Sequence, residues 1–152
     1  MRLARIAFIA LMLWPLGLAA KSPRLQCRAD IRHALNAGHF SGVMFCSEEN
    51  SYASLVLVGR TAGGRFSIYD YRYRFLPHPG GVYHGGQRLL VFRGKKYLGH
   101  YMLSGRPLAT VTVKGTRVLL SGLEPPGKVQ LDFPRTPPRE VLVNGELDTF
   151  AP

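Results

Sequence analysis

Residues Phe66 to Tyr101 read FSIYDYRYRFLPHPGGVYHGGQRLLVFRGKKYLGHY and hold six of the chain's seven tyrosines and three of its five histidines, with a surplus of arginine and lysine. Two strand-like runs flank a Pro/Gly loop, Leu76 to Gly86, that carries His78 and His84. Side chains alternate across a strand, so Tyr69, Tyr71, Tyr73 and Phe75 share one face of the first run while Asp70, Arg72 and Arg74 share the other. The aromatic row is expected in a core and the charged row in water. A surface for single-stranded nucleic acid needs aromatics and cations on one exposed face, and this alternation separates them.

The same period of two extends outward in both directions. Strands are expected over Phe40–Cys46, Tyr52–Val58, Arg65–Phe75, Gln87–Phe92, Lys96–Leu103, Leu108–Val113, Thr116–Ser121, Lys128–Phe133, Glu140–Val143 and Glu146–Phe150. Between them stand turn signals: Ser47–Ser51, Gly63-Gly64, Gly94, Ser104-Gly105-Arg106-Pro107, Lys114-Gly115, Glu124-Pro125-Pro126-Gly127 and Asn144-Gly145, the last being the strongest short hairpin signal. Connections this short require antiparallel neighbours. Only residues 26–37 show a helical period, with Cys27, Ile31, Ala34 and Leu35 on one face, His33 off that face and Gly38 as the stop. The expected fold is all-β: an antiparallel meander forming a small sandwich or barrel, with one short N-terminal helix.

The chain opens MRLARIAFIALMLWPLGLAA. Arg2 and Arg5 precede an apolar run that ends in small residues, which is the layout of a secretory signal peptide. The run is shorter than the ~20 residues of a membrane span and is broken by Pro15. Residues 1–20 are expected to be removed and 21–152 to form a single β-rich domain with no transmembrane segment, exported to the periplasm or beyond the cell. Cys27 and Cys46 are the only cysteines, and in an oxidising compartment a lone pair is expected to form one disulfide.

Loss of Arg2 and Arg5 leaves 18 basic residues against 9 acidic ones. Such an excess favours a polyanion or an acidic protein as partner. In an up-and-down meander alternate turns lie at the same end, which is expected to gather Arg60, Arg93, Lys95, Lys96, Lys114, Arg135 and Arg139. Of these, Arg93, Lys95, Lys96, Lys114, Arg135 and Arg139 are the candidate contact surface. The enzymatic alternative is a secreted ribonuclease-like hydrolase, with His78, His84 and Arg88 supplying acid, base and phosphate contact. It requires those residues to converge with Tyr83 on one pocket. His100 is read as a hydrogen-bonded core histidine. His-Gly-Gly at 84–86 has the look of an esterase oxyanion loop, but no Gly-x-Ser-x-Gly elbow exists in the chain. Neither a metal site nor a cofactor is expected, because no ligand spacing or phosphate-cradling motif is present. The composite expectation is a non-catalytic binding protein for an anionic envelope component or acidic partner. A purely structural envelope protein with no small ligand is the remaining alternative.

Overall fold

The structure, a computed structural model, describes residues 29–40, 51–103, 108–123, 127–143 and 145–152. The expected signal segment, both cysteines and most of the expected Phe40–Cys46 strand lie outside the described residues, as do Ser104–Pro107, Glu124–Pro126 and Asn144. Among the described residues one α-helix, α1 (Ala29–Ala37), precedes nine strands. They are β1 (Ser51–Arg60), β2 (Ser67–Phe75), β3 (His84–Arg93), β4 (Lys96–Leu103), β5 (Thr110–Lys114), β6 (Arg117–Leu123), β7 (Gly127–Asp132), β8 (Glu140–Val143) and β9 (Glu146–Thr149). Every strand pairs antiparallel with its neighbour in sequence, in sheets β1-β2-β3-β4, β5-β6-β7 and β8-β9. This is the expected meander.

The first sheet is covered on both faces. On one, Phe66, Ile68, Leu89, Val91, Tyr101 and Leu103 pack against Val111, Val118, Leu120 and Leu131 of the second sheet and Val141 and Val143 of the third. On the other, Ala53, Leu55, Tyr71, Leu90, Phe92 and Tyr97 pack beneath Leu35 of α1. Leu89-Leu90-Val91-Phe92 is therefore buried without alternation, as a strand enclosed on both sides must be. The flanks of the layers are stitched by backbone hydrogen bonds. Ala62 N–H donates to Gly115 O at 2.7 Å, and His100 exchanges two bonds with Ala151 at 2.8 and 3.0 Å.

Double cover corrects the expectation that Asp70, Arg72 and Arg74 face water. Only Arg74 is exposed; Arg72 is part-buried and Asp70 is buried at 8% exposure. Their row points at the second sheet, where Gln87 Nε2 donates to Asp70 Oδ1 and to Ala109 O, both at 2.8 Å. Ala109 N–H returns a 2.8 Å bond to Gln87 Oε1. Arg72 closes the set through Nε to Asp70 Oδ2 at 2.8 Å and Nη2 to Ala109 O at 3.0 Å. Polar groups so placed are stable only when fully bonded, and this network fastens the start of the second sheet to the first. The tyrosine row faces α1, in the core as expected.

Two local readings also change. The left-handed residue that ends α1 is His39, at φ 55°, not Gly38. Phe40 N–H reaches Leu35 O at 3.0 Å and His39 N–H reaches Asn36 O at 3.1 Å, which is a Schellman cap. Gly85 and Gly86, read as loop, are strand residues paired with Arg74 and Tyr73, so the loop shortens to 76–83.

Candidate functional site

The histidine loop does not bring His78, His84 and Arg88 together. His84 is exposed and stacks on Phe75, with centroids 5.8 Å apart. Tyr83 lies under the Arg74 guanidinium at 5.1 Å. His78 is exposed and folds over its own turn, its carbonyl accepting from Gly81 N–H at 3.1 Å. Arg88 lies four residues beyond His84 on the same strand, roughly 13 Å away at the rise of a β-strand. It engages other partners, so no contact joins it to either loop histidine. Pairing of residues 84–88 in β3 extends the chain and carries Arg88 away from the loop.

Arg88 instead meets His100, and a bulge explains how. Between β3 and β4 the register slips from Val91↔Gly99 to Phe92↔Tyr97, leaving one extra residue in β4. Tyr97 and His100, three apart, consequently face the same side, while Leu98 joins the opposite core. Gly99 accepts the bulge at φ 150°, where a Cβ would lie 2.6 Å from Phe150 Cζ. Arg88 Nη1 approaches His100 Nε2 at 3.4 Å, and His100 Nδ1 lies 2.7 Å from the Tyr97 hydroxyl. Arginine can only donate, so His100 Nε2 accepts and Nδ1–H donates to Tyr97. Burial, helped by the Arg88 charge, lowers His100 to about 4 and so keeps it neutral. Burial pushes the Tyr97 hydroxyl well above its usual range. Phe40, delivered by the Schellman cap, sits 5.5 Å from the His100 ring and 5.4 Å from the Arg88 guanidinium, which is also 5.7 Å from the Tyr73 ring. His100 is thus the hydrogen-bonded core residue expected, but its alliance with Arg88 and Tyr97 was not foreseen. Gly99 beside it was the available signal, since a strand glycine marks a bulge.

The basic turns do converge. The connection after β1 bonds to the β5–β6 turn through Ala62 and Gly115, and Phe133 N–H donates to Thr116 O at 2.8 Å. Arg65 donates to the Pro134 carbonyl. Arg93 Nη2 lies 3.5 Å from Arg135 O, with its guanidinium over the Phe66 ring at 5.2 Å. Lys95 and Lys96 follow Arg93 in a tight turn, and both are exposed, as are Arg60, Lys114 and Arg135. A shallow, open depression of about 370 Å³ next to Lys114 is lined by that residue with Gly115, Thr116, Arg117, Leu119 and Gln130. Arg139 is exposed, and its backbone is tied to the C-terminal segment, not to these turns. Its carbonyl accepts from Phe150 N–H at 2.7 Å, past a segment whose Pro138 carbonyl takes the Tyr101 hydroxyl.

Another perturbed group lies where β9 meets β4. Asp148 accepts backbone N–H bonds from Thr149 and Met102, yet burial dominates and raises its carboxyl to about 6. Its Oδ2 is buried without a partner. Among the described residues no three His, Cys, Asp or Glu side chains gather as a metal site, and no helix is long and apolar enough to cross a membrane. The chain matches no family model, no curated protein and no solved structure.

Proposed function

We propose that this protein is an exported, non-catalytic binding domain whose basic end takes an anionic envelope component or an acidic partner. The observation that supports this reading is the joining of four connections at one end of the sandwich. Residues 59–65, 93–96, 114–117 and 132–135 carry eight cations, Arg60, Arg65, Arg93, Lys95, Lys96, Lys114, Arg117 and Arg135, and one carboxylate, Asp132. Asp132 is already engaged by Arg117 at 3.3 Å. Turn backbones braced against one another hold these charges close together, and the resulting positive field attracts polyanions at long range.

The reading is tested by retention on a heparin matrix as salt rises. Wild-type binding weakens steeply between low and moderate salt, because each neutralised contact releases counterions. The K95E/K96E double variant elutes earlier and with a shallower salt dependence. Salt-insensitive retention, or equal retention of the double variant, rejects the basic end as the binding surface.

A further inference from the structure

The face of the first sheet beneath α1 carries one feature that packing does not explain. Arg88 stands in a row of neutral groups: Tyr71 and Met102 lie opposite it on β2 and β4, and Phe40, Tyr73 and His100 surround its guanidinium. Among the described residues no carboxylate meets it. Of its five N–H donors, one has an acceptor among the described residues, His100 Nε2. Its Nε–H is buried with no acceptor at all. A methionine would fill this space with neither a charge nor an orphaned donor. A half-buried cation with no counter-charge among the described residues is a destabilising choice for the fold alone, and such choices concentrate at binding sites.

We propose that Arg88 is the recognition point for one oxyanion, a carboxylate or phosphate group, of a small ligand bound on this face. The planar guanidinium fork matches both groups bidentately. His100, held neutral and fixed by Tyr97, occupies one Nη1 hydrogen, and no other described residue takes the second Nη1 hydrogen or the two on Nη2, which point the fork at a ligand. Arg88 itself is only part-buried, so the site opens to solvent. Met102, directly opposite it and 47% exposed, and the Tyr73 ring supply an apolar wall for the remainder of the ligand. This site is separate from the basic turns and does not depend on their function.

The test is thermal unfolding of wild type, R88K, R88M and K95E/K96E in chloride, inorganic phosphate and butyrate at equal ionic strength. Phosphate or butyrate raises Tm of the wild type and of K95E/K96E, in a saturable way, and leaves R88M unmoved. The anion that acts identifies the group carried by the ligand. R88K responds with affinity about tenfold weaker, the worth of one charge-assisted hydrogen bond. In chloride, R88M melts close to wild type, because removal of an uncompensated charge offsets loss of the donor to His100 Nε2. A response that persists in R88M, one that disappears only in K95E/K96E, or no response in any protein overturns the proposal. If R88M does not fold, R88K decides, and an undiminished response there overturns it.

Discussion

Gly38 and Tyr97 touch so closely that a Cβ on Gly38 would come under 3.0 Å from the tyrosine ring. The glycine is needed for this approach of α1 to β4 and not for chain reversal, which His39 performs in the left-handed region. Two substitutions separate the roles. Gly38→Ala forces α1 off the sheet and should cost about 1–3 kcal/mol, as overpacking of a filled site does. His39→Gly should hold or raise stability by up to about 1 kcal/mol, since it relieves a side chain from an unfavourable φ. Urea midpoints at constant m-value check both. Equal losses at the two positions would contradict this division of labour.

Gln87 serves Ala109 as a strand neighbour would, giving its amide nitrogen to the carbonyl and its oxygen to the N–H. Gln87→Leu keeps the volume and leaves Asp70 Oδ1 and both Ala109 backbone groups without those bonds. Ala109 O keeps its bond from Arg72, and each of the other two buried groups costs about 1–3 kcal/mol when unsatisfied, so the substitution should lose at least about 2 kcal/mol. Gln87→Glu should be similarly damaging, because it sets a second carboxylate against Asp70 at hydrogen-bond distance. Denaturant unfolding of both variants measures this. A loss under about 1 kcal/mol would mean that water replaces the network.

The meander was legible because its signals are local. Turn chemistry at Gly94-Lys95 and Gly115-Thr116 and alternation along Phe66–Phe75 are properties of a few adjacent residues. The gathering of Arg93, Lys95, Lys96, Lys114 and Arg135 followed from connectivity alone. What failed depended on partners distant in sequence. Asp70 looked solvated because the cover that buries it, residues near Ala109, lies 39 positions away. A loop extending through Gly86 would set Arg88 beside His84, whereas pairing with β2 straightens the chain from residue 84. Nothing local to Arg139 shows that the backbone around it bonds to Tyr101 and Phe150. The Arg88–His100–Tyr97 cluster needs a bulge, and strict alternation puts Tyr97 and His100 on opposite faces.

Gly99 is where the C-terminal segment enters the sheet, with Phe150 packed over it and Ala151 paired to His100. Gly99→Ala should detach this segment without dismantling the first sheet. The expected signature is loss of amide-exchange protection at His100 and Ala151, with protection retained at Leu89, Leu90 and Val91. Global stability should fall by about 1–3 kcal/mol, as for a strained backbone position next to a steric conflict. Uniform loss of protection across β2 and β3 would show instead that the C-terminal segment is integral to the whole fold.

Asp148 and His100 make opposite contributions to stability in the same pH window. The carboxyl of Asp148 is raised from 3.8 to about 6, so between these values the folded state holds a proton that the unfolded chain has released. Its contribution is therefore greatest in acid and is lost as pH rises from about 4 to 6. His100 is lowered from 6.5 to about 4, so in its window the unfolded chain holds the extra proton. Its contribution is present above about 6.5 and is lost as pH falls towards 4. The two slopes largely offset each other, and wild-type Tm should vary little between about pH 4 and 6.5. Asp148→Asn keeps an acceptor for the Met102 and Thr149 amides and removes the first slope. The variant should match or exceed wild-type Tm at pH 7 and then lose stability steeply on acidification. The steepness should vanish again when His100 is also replaced by Gln. Tm profiles of the three proteins that run parallel across this window would show that neither group titrates as its surroundings dictate.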